Sequence, residues 1–364
     1  MTDAKARMVR FCKDYGLRVP ILLAPMAGAS NPLLSIAVAQ VGGLGACGAL
    51  LMEPEEILAW AREVRSQTSG VFQINLWIPD PEPVLNPEHE ARVRSFLANW
   101  GPVIPPEAGD TRPPDFDKQC EAILSAAPAI ASSVMGLYPP GFVQKLKAKG
   151  IKWFANISTV REARAAEAAG ADVIVAQGSE AGGHRGCFSA ADAERQQVGL
   201  FALLPAVVDA VRVPVVATGG IADARGIAAA MILGASAIQI GTGFLRCPEA
   251  KIHPAWADAL AQTAPEDTVV SRVFSGRAGR SIATQYTRAA MADGAPFPAP
   301  YPVQRGLTAA MRSAGQKSGD LHRMQAWAGQ SAALSQAKPA QSLIGQLWNA
   351  TCKILGAETL AANL

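Results

Sequence analysis

Eight short runs of aliphatic and β-branched residues recur along the chain, most of them followed by an alanine-rich stretch of helical character. They are PILLAP from residue 20, GLGACGAL from 43, VFQINLW from 71 and AIASSVM from 129. IKWFANI from 151, ADVIVAQ from 171, VPVVATGG from 213 and ASAIQIGT from 235 complete the set. Strands this apolar are buried on both faces, and strands alternating with helices build a parallel sheet. Helices are predicted over NPLLSIAVAQVG, EPEEILAWAREVRSQ, TVREARAAEAAG and ADARGIAAAMILG, with Thr159 as an N-cap and Gly170 as a stop in the third. Eight such units within roughly 220 residues predict an α/β chain folded as a closed (β/α)8 TIM barrel. A doubly wound open sheet is the alternative, but no G-x-G-x-x-G follows the first strand.

Two stretches break the repeat. Residues 79–118 carry PDPEPVLNPEHE and GPVIPPEAGDTRPP, which reads as a long proline-rich excursion after strand three, capping the barrel or meeting a partner. After Cys247 come extra C-terminal helices, the turn GAPFPAPYP and the segment LHRMQAWAGQSAALS. The expected organisation is therefore a barrel over 1–246 and 310–364, with a smaller substrate-side lid over 247–309. No internal repeat of solenoid type is present.

Composition narrows the function classes. The 364 residues are 49% hydrophobic and 17% charged, as a protein with a large folded core requires. A net charge of +3 without a basic stripe argues against nucleic acid or a membrane surface as partner. The six cysteines form no C-x-x-C pair, so neither a metal site nor a disulfide framework is expected, and a reducing cytoplasm fits. The N-terminus is charged throughout and has no apolar signal core. Val19 to Met52 contains no charge at all, yet its prolines and glycines cut it into pieces too short to span a bilayer.

In a barrel the C-terminal strand ends meet at the active site, so the chemistry is sought there. Gly219, Gly220, Gly241 and Thr242 follow strands seven and eight, where exposed backbone N–H groups make a phosphate site. Ala24, Pro25 and Met26 at the end of strand one can back a flat ring, while Asn75 and Gln177 offer amides to its polar edge. A phosphate plus a flat polar ring points to flavin mononucleotide (FMN). In AQGSEAGGHRG, Gly182 and Gly183 clear space beside His184, which can accept a proton from a carbon acid or, as imidazolium, bind an anion. The other histidines read differently: His89 in an acidic segment, His253 as a helix-start residue, His322 near a C-terminal helix. Glu180 reads either as a loop holder pairing with Arg185 or as a solvated side chain, and Cys187 as a small buried thiol without an orienting partner.

Taken together, LLAPMAG, FQIN, AQGSEAGGHRG, PVVATGGIAD and AIQIGTGFLRCPEA resemble the nitronate monooxygenase family, formerly called 2-nitropropane dioxygenases, over nearly the whole barrel. The resemblance implies FMN on a TIM barrel, with His184 as catalytic base or substrate-positioning group. Segments PYP and WAGQSAAL add Tyr301 at the substrate and Gln330 at the cofactor. It implies oxidation of alkyl nitronates by O2, through a flavin semiquinone, to a carbonyl compound and nitrite; neutral nitroalkanes and a homodimer stay open. Two departures stand out: the length of the 79–118 excursion, and Ser132 and Ser133 where relatives place a basic residue. The alternatives are an FMN-dependent NAD(P)H reductase acting on a quinone or enoyl thioester, and a flavin-binding protein without chemistry.

Overall fold

Each apolar run becomes a strand because its alternate side chains find apolar partners on both faces. The computed structural model describes residues 2–358. In chain order the strands are β1 (Ile21–Leu23), β2 (Gly45–Gly48), β3 (Phe72–Trp77), β4 (Ile130–Val134), β5 (Lys152–Ile157) and β6 (Val173–Gln177). There follow the two-residue β7 (Gly183–His184), β8 (Val215–Thr218), β9 (Ala237–Ile240), β10 (Thr268–Ser271) and β11 (Gly279–Ile282). Eight of them form one parallel sheet in the order β1-β9-β8-β6-β5-β4-β3-β2. Leu23 N–H donates to the Leu44 carbonyl at 2.9 Å and Leu44 N–H to the Ile21 carbonyl at 3.2 Å, which joins β1 to the lead-in of β2. The sheet is thereby closed, a (β/α)8 barrel with its eight strands at the eight runs read from the sequence.

The interior is graded along the barrel axis. At the N-terminal end Leu22, Ile130, Phe154, Val173, Val175 and Val216 pack into an apolar plug, and Phe11 from the helix Thr2–Tyr15 seals it. At the C-terminal end the inward positions are polar: Gln73, Asn75, Asn156, Gln177, Thr218 and Gln239. The outward positions, such as Ile74 and Leu76, meet the helix layer through Ile57, Trp60 and Val64. Fully burying aliphatic side chains of this size contributes about 1.5–3 kcal/mol each, so one rim can be left polar without unfolding the barrel.

The outer ring is completed out of sequence. Helix Ala340–Ile354 packs against the helices Ala224–Ile232 and Pro32–Gln40, taking the place that the helix after β9 should hold. Residues 242–339 are thus inserted between β9 and its closing helix. Within the insertion β10 and β11 pair with β7 in an antiparallel sheet that stands over the rim. Met311 in helix Ala309–Ser318 packs with Val273, Phe274, Tyr286 and Leu307 of that insertion. A lid ending at residue 309 therefore cuts through a packed unit. The proline-rich excursion is also more structured than a loop: it contains the helix Pro87–Leu97, whose Val93 and Leu97 join the same cluster.

Glu162 links this scaffold to the rim. Its carboxylate accepts from Ser158 N–H (2.8 Å), Ser158 Oγ (2.9 Å) and Thr159 N–H (3.1 Å), completing a capping box with the expected N-cap Thr159. The other oxygen accepts from Phe188 N–H at 2.8 Å, four residues beyond His184. Glu162→Ala leaves these buried donors unpaired and should lower the unfolding free energy by about 2–3 kcal/mol in a denaturant titration. A loss under ~0.5 kcal/mol would show that water takes over the carboxylate's part.

Candidate active site

β6 ends at Gln177, and the chain then turns back over the rim. Gln177 spends its side chain on that turn: Nε2 donates to the His184 carbonyl at 3.1 Å, and Oε1 accepts from Gly186 N–H at 2.7 Å. Arg185, 1% exposed, donates to the carbonyls of Gly178 (2.7 Å) and Gln177 (3.4 Å), and Arg280 donates to that of Ser179 (2.9 Å). Two guanidiniums and an amide thus tie down the loop that presents His184. Glu180 does not pair with Arg185 as the sequence suggested. Its carboxylate instead accepts from Leu200 N–H at 2.9 and 3.0 Å, at the start of the helix Leu200–Ala210.

His184 itself is held on three sides. Its ring meets Trp77 edge-on at 4.6 Å and Trp327 at 4.7 Å, and Nε2 lies 2.7 Å from Ser275 Oγ. Part of the ring opens onto a cavity of about 370 Å³ at the centre of the rim, a size within the usual range for ligand sites. Burial, with Arg277, Arg305 and Arg312 nearby, pushes the histidine's proton affinity down to about 3. These surroundings favour the neutral imidazole over the imidazolium at physiological pH.

Arg305 and Arg312 line the cavity. They lie seven residues apart in two consecutive helices, Val303–Leu307 and Ala309–Ser318. Arg312 donates to Thr308 Oγ1 (3.1 Å), Gln325 Oε1 (3.1 Å) and the Arg305 carbonyl (2.8 Å), all neutral acceptors. Burial lowers the pKa of both, that of Arg312 to about 10, which leaves them charged at neutral pH. Neither has a carboxylate partner among the described residues. A cavity lined by two cations without counter-ions selects for an anion.

The remaining expected residues divide. Ala24, Pro25, Met26, Asn75, Gly182, Gly183, Gly219, Gly220, Gly241 and Thr242 all line the cavity. Tyr301 is not among the lining residues; its ring lies tilted against that of Trp77, centroids 5.6 Å apart, with its hydroxyl buried and unpaired. Gln330 is not among them either, and its N–H donates to the Glu180 carbonyl at 2.9 Å. Asn75 donates to Ser132 Oγ at 3.1 Å, which uses one of the two serines standing where a basic residue was looked for. Cys187 is buried and its thiol pKa is raised by desolvation, consistent with a packing role. His253 starts the helix Pro254–Gln262, its Nδ1 accepting from Ala255 N–H at 3.1 Å. Gln73, Trp77, Asn156, Arg305, Arg312 and Trp327 were missed. For Gln73 and Trp77 the signal was present, since counting by two from Asn75 along β3 reaches both.

The residues present fit a flavin nucleotide. Among the described residues the N–H groups of Gly220, Ile221 and Thr242 have no protein acceptor, and they sit on the turns after adjacent strands β8 and β9. Gly219 and Gly220 have φ of 110° and 67°, a backbone that turns N–H groups outward and that L side chains rarely adopt. Deeper in the rim Gln73 Oε1 and Asn156 Oδ1 are buried acceptors without a donor. They call for N–H or O–H groups from something in the cavity.

The chain is similar to several known proteins. A family model described as nitronate monooxygenase matches residues 10–350. A nitronate monooxygenase of Paraburkholderia phytofirmans is 38% identical over 342 residues, 91% of this chain and 92% of that protein. A probable nitronate monooxygenase of Staphylococcus aureus is 32% identical, covering 95% and 98%. Among solved structures, a nitroalkane oxidase from Streptomyces ansochromogenes superposes with a TM-score of 0.84 at 33% identity, covering 94% of this chain and 98% of that one. FabK from Thermotoga maritima gives 0.74 at 27% identity, covering 98% and 99%.

The neutral histidine has a consequence for stability. Unfolding restores an ordinary histidine near 6.5, so between pH 6.5 and about 3 the unfolded chain binds a proton that the folded one refuses. Stability present above pH 6.5 is lost as the pH falls through that window. His184→Asn should remove up to about 1.4 kcal/mol per pH unit from the slope of unfolding free energy against pH between 4 and 6. Parallel slopes in the two proteins would mean that His184 is solvated and titrates normally.

Proposed function

The chain belongs to the nitronate monooxygenase family, and on that premise we propose that it binds FMN across the barrel rim and oxidises alkyl nitronates with O2 to a carbonyl compound and nitrite. That it is an oxidoreductase follows from the family. The observation that carries the substrate form is the pairing of a neutral His184 with two cavity arginines that lack counter-ions.

Bound FMN supplies the electron transfer between nitronate and oxygen. The chain supplies everything else. The N–H groups of Gly220, Ile221 and Thr242 take the phosphate, Ala24 to Met26 back the ring system, and Gln73 and Asn156 accept from its polar groups. Arg305 and Arg312 meet the negative charge of the nitronate and hold it beside His184, while Trp77 and Trp327 keep water from that face. A base with so low a proton affinity, surrounded by cations, is a poor acceptor for the α-proton of a neutral nitroalkane. The anion arrives already deprotonated and is attracted by the same charges. The six free thiols fit a cytoplasmic enzyme.

Two measurements test this. Propyl nitronate, added anaerobically to the yellow protein, should change the flavin spectrum where NADH leaves it unaltered. In air, kcat/KM for the nitronate should exceed that for 1-nitropropane by about a hundredfold or more. Bleaching by NADH alone would assign the chain to the NAD(P)H reductases, and equal kcat/KM values would restore His184 as an effective base.

The phosphate assignment is tested separately. Any side chain at Gly220 approaches Glu180 Cβ to 3.2 Å, so charge must be separated from bulk. Asn has the size of Asp and tolerates a positive φ as well. Gly220→Asp should copurify with less than about a tenth of the FMN retained by Gly220→Asn, because a carboxylate repels phosphate at short range. Equal flavin content would move the phosphate elsewhere.

A further inference from the structure

We infer that Asp80, at the entrance to the proline-rich excursion, is a positioning residue for His184: acting through Arg277 and Ser275, it holds the imidazole with its proton on Nε2 and its Nδ1 lone pair open to the cavity. This goes beyond the nitronate reading and does not depend on which substrate is turned over.

The inner end of the relay is a hydrogen-bond count. Ser275 Oγ has three neighbours: His184 Nε2 at 2.7 Å, the Arg277 carbonyl at 3.1 Å and Arg277 N–H at 3.3 Å. The serine is 1% exposed and has one hydrogen to give. Given to the Arg277 carbonyl, it leaves Oγ free to accept from both Arg277 N–H and a protonated Nε2, and every group is paired. Given to His184, it strips the Arg277 carbonyl of the only donor it has among the described residues. Buried polar groups are paired wherever a paired arrangement exists, so Nε2 carries the proton. Nδ1 has no protein partner among the described residues, and its ring lines the cavity. The nitrogen left bare is the one facing the ligand.

The outer end explains why Ser275 stays in place. Arg277 is 1% exposed, and among the described residues Asp80 is its single ion-pair partner, through Nη1. Its Nη2 donates to the Cys187 carbonyl at 2.7 Å, three residues past His184, and its Nε is buried without a partner. The guanidinium is therefore oriented by two contacts, one to the excursion and one to the histidine loop. Asp80 also lies three residues after Trp77, whose ring flanks the imidazole. Releasing Asp80 frees a buried cation beside the histidine and loosens both the serine and the indole that hold it.

The experiment is a two-bond proton–nitrogen NMR correlation of the flavin-loaded protein with 15N-histidine, at neutral pH, where the pattern for each imidazole reports its tautomer. His184→Asn identifies the signal among the four histidines. The wild type should show Nε2–H alone. Asp80→Asn and Ser275→Ala should show mixed tautomers. Asp80→Glu and Ser275→Thr should keep Nε2–H alone. If Asp80→Asn is not recovered folded, Arg277→Gln breaks the relay one step further in and should give the same mixture. A wild-type Nδ1–H signal overturns the inference. So does an unchanged tautomer in Asp80→Asn accompanied by a lowered melting temperature, which would make the pair merely structural. The NMR result stands whether or not nitronates are the substrate.

Discussion

Closure of the parallel sheet is the constraint from which the rest follows. Once β1 is bonded to the lead-in of β2, every barrel strand has two neighbours and all eight C-terminal ends open on one rim. Side chains must then alternate between the interior and the helix layer, and the interior cannot hold water along its whole length. The chain resolves this by filling the N-terminal half with aliphatic and aromatic groups and leaving the C-terminal half polar. A row of buried amides at the rim is costly unless something pairs with them. Gln73 and Asn156 keep oxygens unpaired, so the polar rim is best understood as half of an interface whose other half is a ligand.

The insertion supplies what a bare barrel cannot. It brings β11 alongside β7, so His184 lies in an antiparallel ladder opposite Gly279 rather than on a free loop. Of the four arginines Arg185, Arg280, Arg305 and Arg312 at the rim, the insertion brings the last three, and the four fall into two kinds. Arg185 and Arg280 are spent on backbone carbonyls and act as rigid struts. Arg305 and Arg312 line the cavity, and the hydrogen-bond acceptors that Arg312 meets are all neutral. The same residue type thus provides stiffness in one place and anion affinity in the other, decided by whether the guanidinium meets a carbonyl or open space.

Much of this was legible in the sequence because local pattern determined it. The eight strands and the Thr159 cap needed only apolar runs and a Thr-x-x-Glu spacing. The glycine turns and His184 were found because they follow strand ends directly. What was missed arrives from far along the chain. Ser275, Arg305, Arg312 and Trp327 reach the site only through the fold of the insertion, and no spacing relates them to His184. Gln177 was identified as a rim residue, but the bonds of its amide to the His184 loop were not foreseen, since an amide's partners are set by the backbone around it and not by its position on a strand. The excursion read as loop because its prolines masked a helix whose apolar face, Val93 and Leu97, is only two residues deep.

The charge arrangement also decides between the roles that a histidine can take. An imidazolium facing an anion would bind it well, but burial above all, and then three guanidiniums nearby, make that proton expensive to keep. On the proposed reading, anion binding is therefore passed to groups that keep their charge, and the histidine is left uncharged beside them. Arginines tolerate this because their intrinsic pKa is high enough to absorb the effect of burial and remain protonated. A lysine trio would titrate into the neutral range under the same burial, and the site's affinity would then depend on pH. With arginines the cavity stays positive and His184 stays neutral over the same pH range, so substrate attraction and histidine protonation do not compete.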